Sequence, residues 1–333
     1  MKYRKFGNTE LLVSEVGFGA WAIGGPAMAG DIPIGWGDVD DKTSIAAMKK
    51  ARNLGINFYD TADFYGFGHS EVLIGDLWGN DSNVIIASKV GHRLDKSQKI
   101  YLDYSKDYVI HACEKSLTRL KRETIDFYQL HAPNLGHLQN GECIQAMHAL
   151  QQQGKIRYWG ISLNTYDPES EAEFMLENEY LPKGQGFQLV FNIINQKALS
   201  IINKASDNGI GIIARMPLQF GLLAGKFHKS SRFTKSDHRS FRLPPNVLEQ
   251  SLDDLESLWP IADKYNIGYD AFALSFILSH LGVSTVIPGI KTPEQAIANT
   301  KNIIKINQSD LDILHDLFEV RFKKLLQFMK EQG

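Results

Sequence analysis

From about residue 16 onward, short apolar runs rich in β-branched and aromatic residues alternate with longer segments whose apolar positions recur at helical spacing. That alternation is the pattern of repeated βα units around a parallel sheet. The strand candidates read EVGFGA, INFYDT, NVIIASK, IDFYQLH, IRYWGIS, FQLVFN, IGIIAR and STVIPG. Between them, SKDYVIHACEKSLTRL puts Val109, Ala112, Cys113, Ser116, Leu117 and Leu120 on one helical face, with Ser105 in position to cap it. Gly55, Gly154 and Gly209 fall where helices should stop. Eight such units predict an α/β fold of the (β/α)₈ barrel type rather than a doubly wound sheet. A Rossmann turn is also missing, since GFGAWA and GFGHSE both lack the third glycine of G-x-G-x-x-G. No Pro/Gly/Ser-rich linker divides the chain, which predicts one domain over residues 1–333. Residues 1–16 are expected to form a hairpin closing the barrel bottom, and a last amphipathic helix is expected near 308–332.

Composition narrows the class without naming it. With 43% hydrophobic and 22% charged residues, the 333-residue chain has ample material for a globular core. Its 36 Lys and Arg balance 38 Asp and Glu, so nothing global points to nucleic acid or an anionic membrane. Cys113 and Cys143 are too few for a disulfide framework and lack metal-ligand spacing, so both are expected in the core. Residues 271–290 carry no Asp, Glu, Lys or Arg, but Ser275, Ser279, His280, Gly282 and Pro288 break the run. A buried helix followed by a buried strand is the better reading than a membrane span. The first residues show no apolar signal segment, so the expected location is the cytoplasm.

In such a barrel, function gathers where strands give way to loops on the C-terminal face. The second, third and fourth strands end in Asp60, Lys89 and His131, and Tyr65 lies in the loop after the second. A free tyrosine, with a pKa near ~10, is a poor acid at neutral pH, but an adjacent ammonium favours its phenolate. Lys89 can supply that charge, and Asp60 can keep Lys89 protonated. His131 can hydrogen-bond a carbonyl oxygen beside Tyr65. Singly, each residue has an ordinary structural role; four reactive types on three successive strand ends or their loops point to a site. None of them can supply electrons. A metal-dependent hydrolase built on Asp60, His92 and His131 is a weaker alternative, because these residues match no familiar ligand set.

The arrangement DTADFYG with Asp60 and Tyr65, ASK with Lys89, and DFYQLH with His131 resembles the catalytic tetrad of the aldo-keto reductases. The resemblance extends over nearly the whole chain, through GFGAWAIGG, GISLN, MPLQFGLLAGK and IPGIKTPEQAIAN. It implies a barrel that binds NADPH, or alternatively NADH, in extended form, and reduces an aldehyde or ketone. Tyr65 would be the general acid, tuned by Lys89 and Asp60, with His131 orienting the carbonyl. Ser162 and Gln188 would hold the nicotinamide carboxamide, with Asn164 as a substitute for the usual Asn that Leu163 replaces. Arg215 stands where many members have a stacking aromatic, and its charge would favour the neutral reduced ring. Pro217, Leu218, Gly221 and Lys226 follow it in the seventh-strand loop. An alternative within the resemblance is a catalytically weak or silent barrel that binds NADPH and serves as a redox-sensing or regulatory subunit.

Two segments suit the anionic end of such a cofactor. Residues 221–247 hold Lys226, Lys229, Arg232, Lys235, Arg239 and Arg242 against Asp237 alone, which reads as a flap over a pyrophosphate. In PGIKTPEQAIAN, Pro293 and Glu294 suit a first helical turn, leaving free N–H groups near Gly289 to Thr292. Lys291, Gln295 and Asn299 would then hold the adenosine phosphate and the adenine edge. Trp21, Trp36 and Phe64 are expected to wall an open substrate site that accepts small-molecule carbonyls broadly. Oligomeric state has no signature in the sequence.

Overall fold

In the computed structural model, residues 1–177 and 185–332 are described. All eight expected strands form, and they pair in parallel in chain order: β1 (Phe18–Gly19), β2 (Phe58–Asp60), β3 (Ile85–Val90), β4 (Ile125–His131), β5 (Ile156–Ser162), β6 (Gly186–Val190), β7 (Gly211–Arg215) and β8 (Thr285–Ile287). Parallel bridges from Val16 to Val286 and from Gly19 to Gly289 join the first strand to the last and close the ring. Every residue of β3 is buried, as expected for a strand with helices outside and side chains filling the barrel inside. At least one helix follows each strand, from Asp41–Asn53 after β1 to Pro293–Thr300 after β8.

Local signals explain the boundaries. Gly55, Gly154 and Gly209 each follow a helix end with φ of 94°, 71° and 70°, which reverses the chain toward the next strand. Ser105 does sit at the N-cap of helix Lys106–Leu120, but its hydroxyl donates to Asp103 Oδ1 at 2.7 Å and makes no capping bond. The charge-free stretch is a helix, Tyr269–Ser279, buried from Ala271 to Leu278, followed by β8. Its serines bond on the outer side: Ser275 Oγ accepts the Ile304 N–H at 3.1 Å and Ser279 Oγ accepts that of Ile306 at 2.9 Å. Among the described residues, no helix is long and apolar enough to cross a membrane. Cys113 and Cys143 are free and buried.

The N-terminal hairpin, Tyr3–Lys5 paired with Leu12–Ser14, plugs the bottom of the barrel. Phe6, at its turn, lies against Phe58 and Phe127, with the latter ring edge-on at 5.0 Å. Room for Phe6 comes from β6 and β7, since a Cβ on Gly186 or Gly211 would sit 2.4 or 2.7 Å from its ring. At the other terminus the expected helix is interrupted: Gln308–Leu317 passes through a π-helical turn, Phe318–Phe322, before Lys323–Gln332. The last segment reaches the C-terminal face of the barrel, where Lys330 meets Asp167 of the β5 loop at 2.7 Å.

Candidate active site

The four residues singled out in the sequence come together at the C-terminal mouth of β2, β3 and β4. Lys89 Nζ, with no exposed surface, donates to Asp60 Oδ2 at 2.6 Å, to the Thr61 carbonyl at 2.8 Å and to Tyr65 Oη at 3.1 Å. The three donor positions of the ammonium are thereby used. Burial opposes its charge, but Asp60 and Tyr65 outweigh that and raise the Lys89 pKa. The His131 ring stands edge-on to Tyr65, with centroids 5.9 Å apart. Burial, next to His92, Lys89 and Arg215, keeps His131 neutral by lowering its pKa well below the usual range.

One electrostatic expectation is corrected. Lys89 and Arg215 do pull the Tyr65 pKa down, but burial acts more strongly and Asp60 adds to it, so the net direction is upward. Charge placement was legible in the sequence, whereas the desolvation of the phenol depends on the loops packed around it.

Gln129 and Gln188 complete the cluster. Gln188 Nε2 donates to Asp60 Oδ1 at 2.7 Å, and Gln129 Nε2 approaches the same oxygen at 3.2 Å. Asp60 therefore has partners on both oxygens, the condition for burying a carboxylate. Gln129 was missed in the sequence, although it lies two residues before His131 on the same strand face and in register with Lys89. Gln188 Oε1 is buried without a partner, and Ser162 lies beside Gln188 in register on β5. An unpaired amide oxygen at this position fits the amide N–H₂ of a nicotinamide carboxamide. Asn164 Oδ1 is engaged within its own loop, where it accepts the N–H groups of Tyr166 at 3.0 Å and Asp167 at 3.3 Å and closes a turn.

Arg215 ends β7 and reaches across to the β5 loop, donating through Nη2 to the Leu163 carbonyl and Thr165 Oγ1, each at 3.1 Å. Its Nε is buried and unpartnered. Beyond it, Met216, Gln219 and Phe220 all have positive φ, at 54°, 43° and 58°, around buried Pro217, half-buried Leu218 and Gly221 at 97°. Such conformations cost of order 1–3 kcal/mol each and are kept where the surroundings over-determine them. Trp21 stacks near Tyr65, with centroids 6.2 Å apart, and meets Trp36 edge-on at 5.4 Å. Phe64 lies apart from that pair, against His92 and Phe67.

The basic flap is less available than its composition suggested. Lys229 pairs with Asp253 and Glu249, Arg239 grips Asp237 and lies 5.0 Å over the Trp36 ring, and Arg232 donates to the carbonyls of Lys229 and Ser231. Lys226 is exposed. The flap is also tied to the β1 loop, since Trp36 bridges Asp237 and the His238 N–H donates to the Gly35 carbonyl at 3.0 Å. Gly289 lies on the ring-closing bridge at the end of β8, and helix Pro293–Thr300 forms as expected, with Thr292 as N-cap. Gln295 Oε1 accepts the Lys291 N–H at 2.8 Å, which shapes this turn from within. Asn299 is 4% exposed, so contact with an adenine edge would require it to be uncovered. Among the described residues, no three His, Cys, Asp or Glu side chains are grouped to hold a metal ion.

The chain belongs to the aldo/keto reductase family, whose profile matches residues 15–319. It is 30% identical to the aldo-keto reductase YhdN of Bacillus subtilis over 306 residues, which covers 89% of this chain and 86% of that protein. Identity with the NADH-specific methylglyoxal reductase of Escherichia coli is 28% over 337 residues, covering 94% and 96% of the two chains. The structure superposes on the glycerol dehydrogenase AKR11B4 of Gluconobacter oxydans with a TM-score of 0.77, at 27% identity and 96% coverage of both chains.

Proposed function

We propose that this oxidoreductase reversibly reduces an aldehyde or ketone carbonyl, with Tyr65 as the proton donor, and that it works with NADPH or NADH. The observation that carries this reading is the chain Asp60 to Lys89 to Tyr65, joined at 2.6 and 3.1 Å and closed off from water behind the phenol. Bound reduced nicotinamide would supply the hydride.

The residues of the chain do the rest. Tyr65 Oη and His131 converge on the carbonyl oxygen. With its Nδ1 buried and unpartnered, His131 is best accommodated as the tautomer with its proton on Nε2, which can donate to the substrate. As negative charge grows on the carbonyl oxygen, Tyr65 transfers its proton there, and Lys89 steadies the phenolate left behind. In the ground state the raised pKa keeps Tyr65 protonated, the form that reduction needs. Asp60, held by Gln129 and Gln188, keeps Lys89 charged and aimed. Gln188 Oε1 and Ser162 would hold the carboxamide, Arg215 would lie against the ring, and Lys291 would face the adenosine phosphate.

The test is turnover of a simple aldehyde with each cofactor in turn. Tyr65→Phe, which keeps the ring and removes the acidic proton, is expected to lower kcat by roughly 10²–10⁴-fold while cofactor still quenches protein fluorescence. Cofactor binding without turnover in the unaltered enzyme would favour the silent, redox-sensing reading.

A further inference from the structure

β4 ends in His131, and the two sides of that strand end are held differently. On one side the ladder to β5 runs as far as His131, which stands opposite Ser162. On the other side the ladder to β3 stops one residue earlier, at Leu130 opposite Val90. There the β3 chain leaves the barrel through Gly91, at a φ of 137°, into a hairpin, His92–Leu94 paired with Ile100–Leu102. The peptide joining His131 to Ala132 is trans, so its N–H and its carbonyl point opposite ways. The Ala132 N–H donates to the Ser162 carbonyl of β5 at 2.9 Å, which turns the His131 carbonyl toward the side that β3 has left. Tyr104, from the segment that follows the hairpin, fills the gap: its phenol donates to the His131 carbonyl at 2.6 Å. Its ring lies on Gly91 and leaves no room for a Cβ there. Tyr104 is 4% exposed, and burial raises its pKa well above the usual range, so the phenol stays a donor.

The imidazole of His131 depends on that backbone. Among the described residues the ring makes no hydrogen bond of its own, and its Nδ1 is buried without a partner. Packing against Tyr65 and His92 aside, its place is inherited from the strand end that carries it. Directly beyond, Ala132 is left-handed, with a φ of 59°, a conformation that persists only where the surroundings hold it. We propose that Tyr104 is a positioning residue for the reduction: its phenol supplies the rung that β3 does not, and so sets where His131 meets the carbonyl oxygen of the substrate. Misplacing a catalytic group by about 1 Å can cost roughly 10²-fold in rate. This proposal rests on the carbonyl-reductase reading and adds a residue, outside the four at the mouth, on which their geometry depends.

The experiment is a double-variant cycle on propanal reduction, run with NADPH and with NADH. Tyr104→Phe removes one oxygen and keeps the ring on Gly91. It is expected to lower kcat on the order of 10-fold, with the fluorescence titration of the cofactor unchanged. In a His131→Ala background, whose residual rate is read at high enzyme concentration, the same substitution should have no further effect, because the phenol then has no imidazole to place. An equal loss in both backgrounds overturns the proposal, since a general effect on the fold does not need His131. So does an undiminished kcat in Tyr104→Phe, or a Tyr104→Phe chain that no longer binds cofactor, which would make the phenol a prop of the whole mouth. These outcomes leave the carbonyl-reductase reading standing. No turnover of propanal by the unaltered enzyme with either cofactor overturns that reading and this proposal with it.

Discussion

The two ends of this barrel are built from the same eight strands and to opposite rules. At the bottom, Phe6, Leu11 and Val13 of the hairpin pack on Phe58, Ile85, Phe127 and Ile213, an apolar plug whose glycine neighbours make way for one ring. At the top, buried positions hold Asp60, Lys89, Gln129 and Gln188, with buried unpartnered atoms on Gln188, His131, His92 and Arg215. Left-handed backbone also collects there, at Phe67, Ala132, Met216, Gln219 and Phe220. One end supplies cohesion; the other tolerates strain and unmet hydrogen-bonding capacity, which is what a binding partner can exploit. Stability and chemistry in this fold are thus separable by position along the strand.

Lys89 offers the strongest challenge to that separation. Lys89→Met should lower kcat by roughly 10²–10⁴-fold and also destabilise the fold by about 3–5 kcal/mol, because Asp60 is left buried and unpaired. The double variant Asp60→Asn/Lys89→Met should recover most of the stability and none of the activity, as read by chemical denaturation alongside initial rates. Recovery of both would show that the ion pair is only structural.

Phe6→Ala tests the opposite end. It should cost about 3–5 kcal/mol of stability while kcat changes little below the melting range. A large fall in kcat in the still-folded variant would show that the two ends are coupled.

Acid lability should also divide between the ends. His92, His238 and His280 are lowered to about 4 by burial, and His131 lies well below its usual range. A histidine with a depressed folded pKa takes up its proton more readily when unfolded. Its stabilising contribution is therefore complete above about 6.5 and is lost as pH falls toward the folded value. Melting temperature should hold above neutrality and decline below pH ~6.5. His280 precedes β8 at the bottom, whereas the other three lie at the C-terminal mouth, so His280→Leu should leave most of the decline in place. Disappearance of the decline in that variant would locate it at the bottom instead.

The smallest effect concerns cofactor choice. Burial works to raise the Asp237 pKa, but Arg239 and the nearby Lys291 hold it below the carboxylate range, which places Lys291 within the field of the flap. Lys291→Ala should weaken NADPH binding by roughly 10-fold, the scale of a charge-assisted hydrogen bond, and NADH binding far less. Equal losses in fluorescence titrations with the two cofactors would remove Lys291 from the phosphate site.

Much of this was legible in the chain. Apolar periods identified all eight strands, because a buried parallel strand has few polar alternatives and a helix must show its 3.6-residue stripe. Asp60, Tyr65, Lys89 and His131 could be found because strand ends on one face converge wherever eight strands close, whatever the details of the loops. The features that escaped the sequence depend on distance across the fold. That Gln129 and Gln188 hold Asp60 follows from the registers of β4 and β6, which no local pattern prints. Asn164 turns its carbonyl onto its own loop, and Lys229 and Arg239 are taken by acids, so residue type overstated what was free. The Tyr65 pKa turned upward because desolvation depends on everything packed around the phenol, whereas Coulomb attraction needs only one neighbour. The order of residues is enough to say which chemical groups reach the mouth of the barrel. Which of their atoms are left unpaired there is settled only by the folded packing, since satisfaction of a buried group is a property of all its neighbours at once.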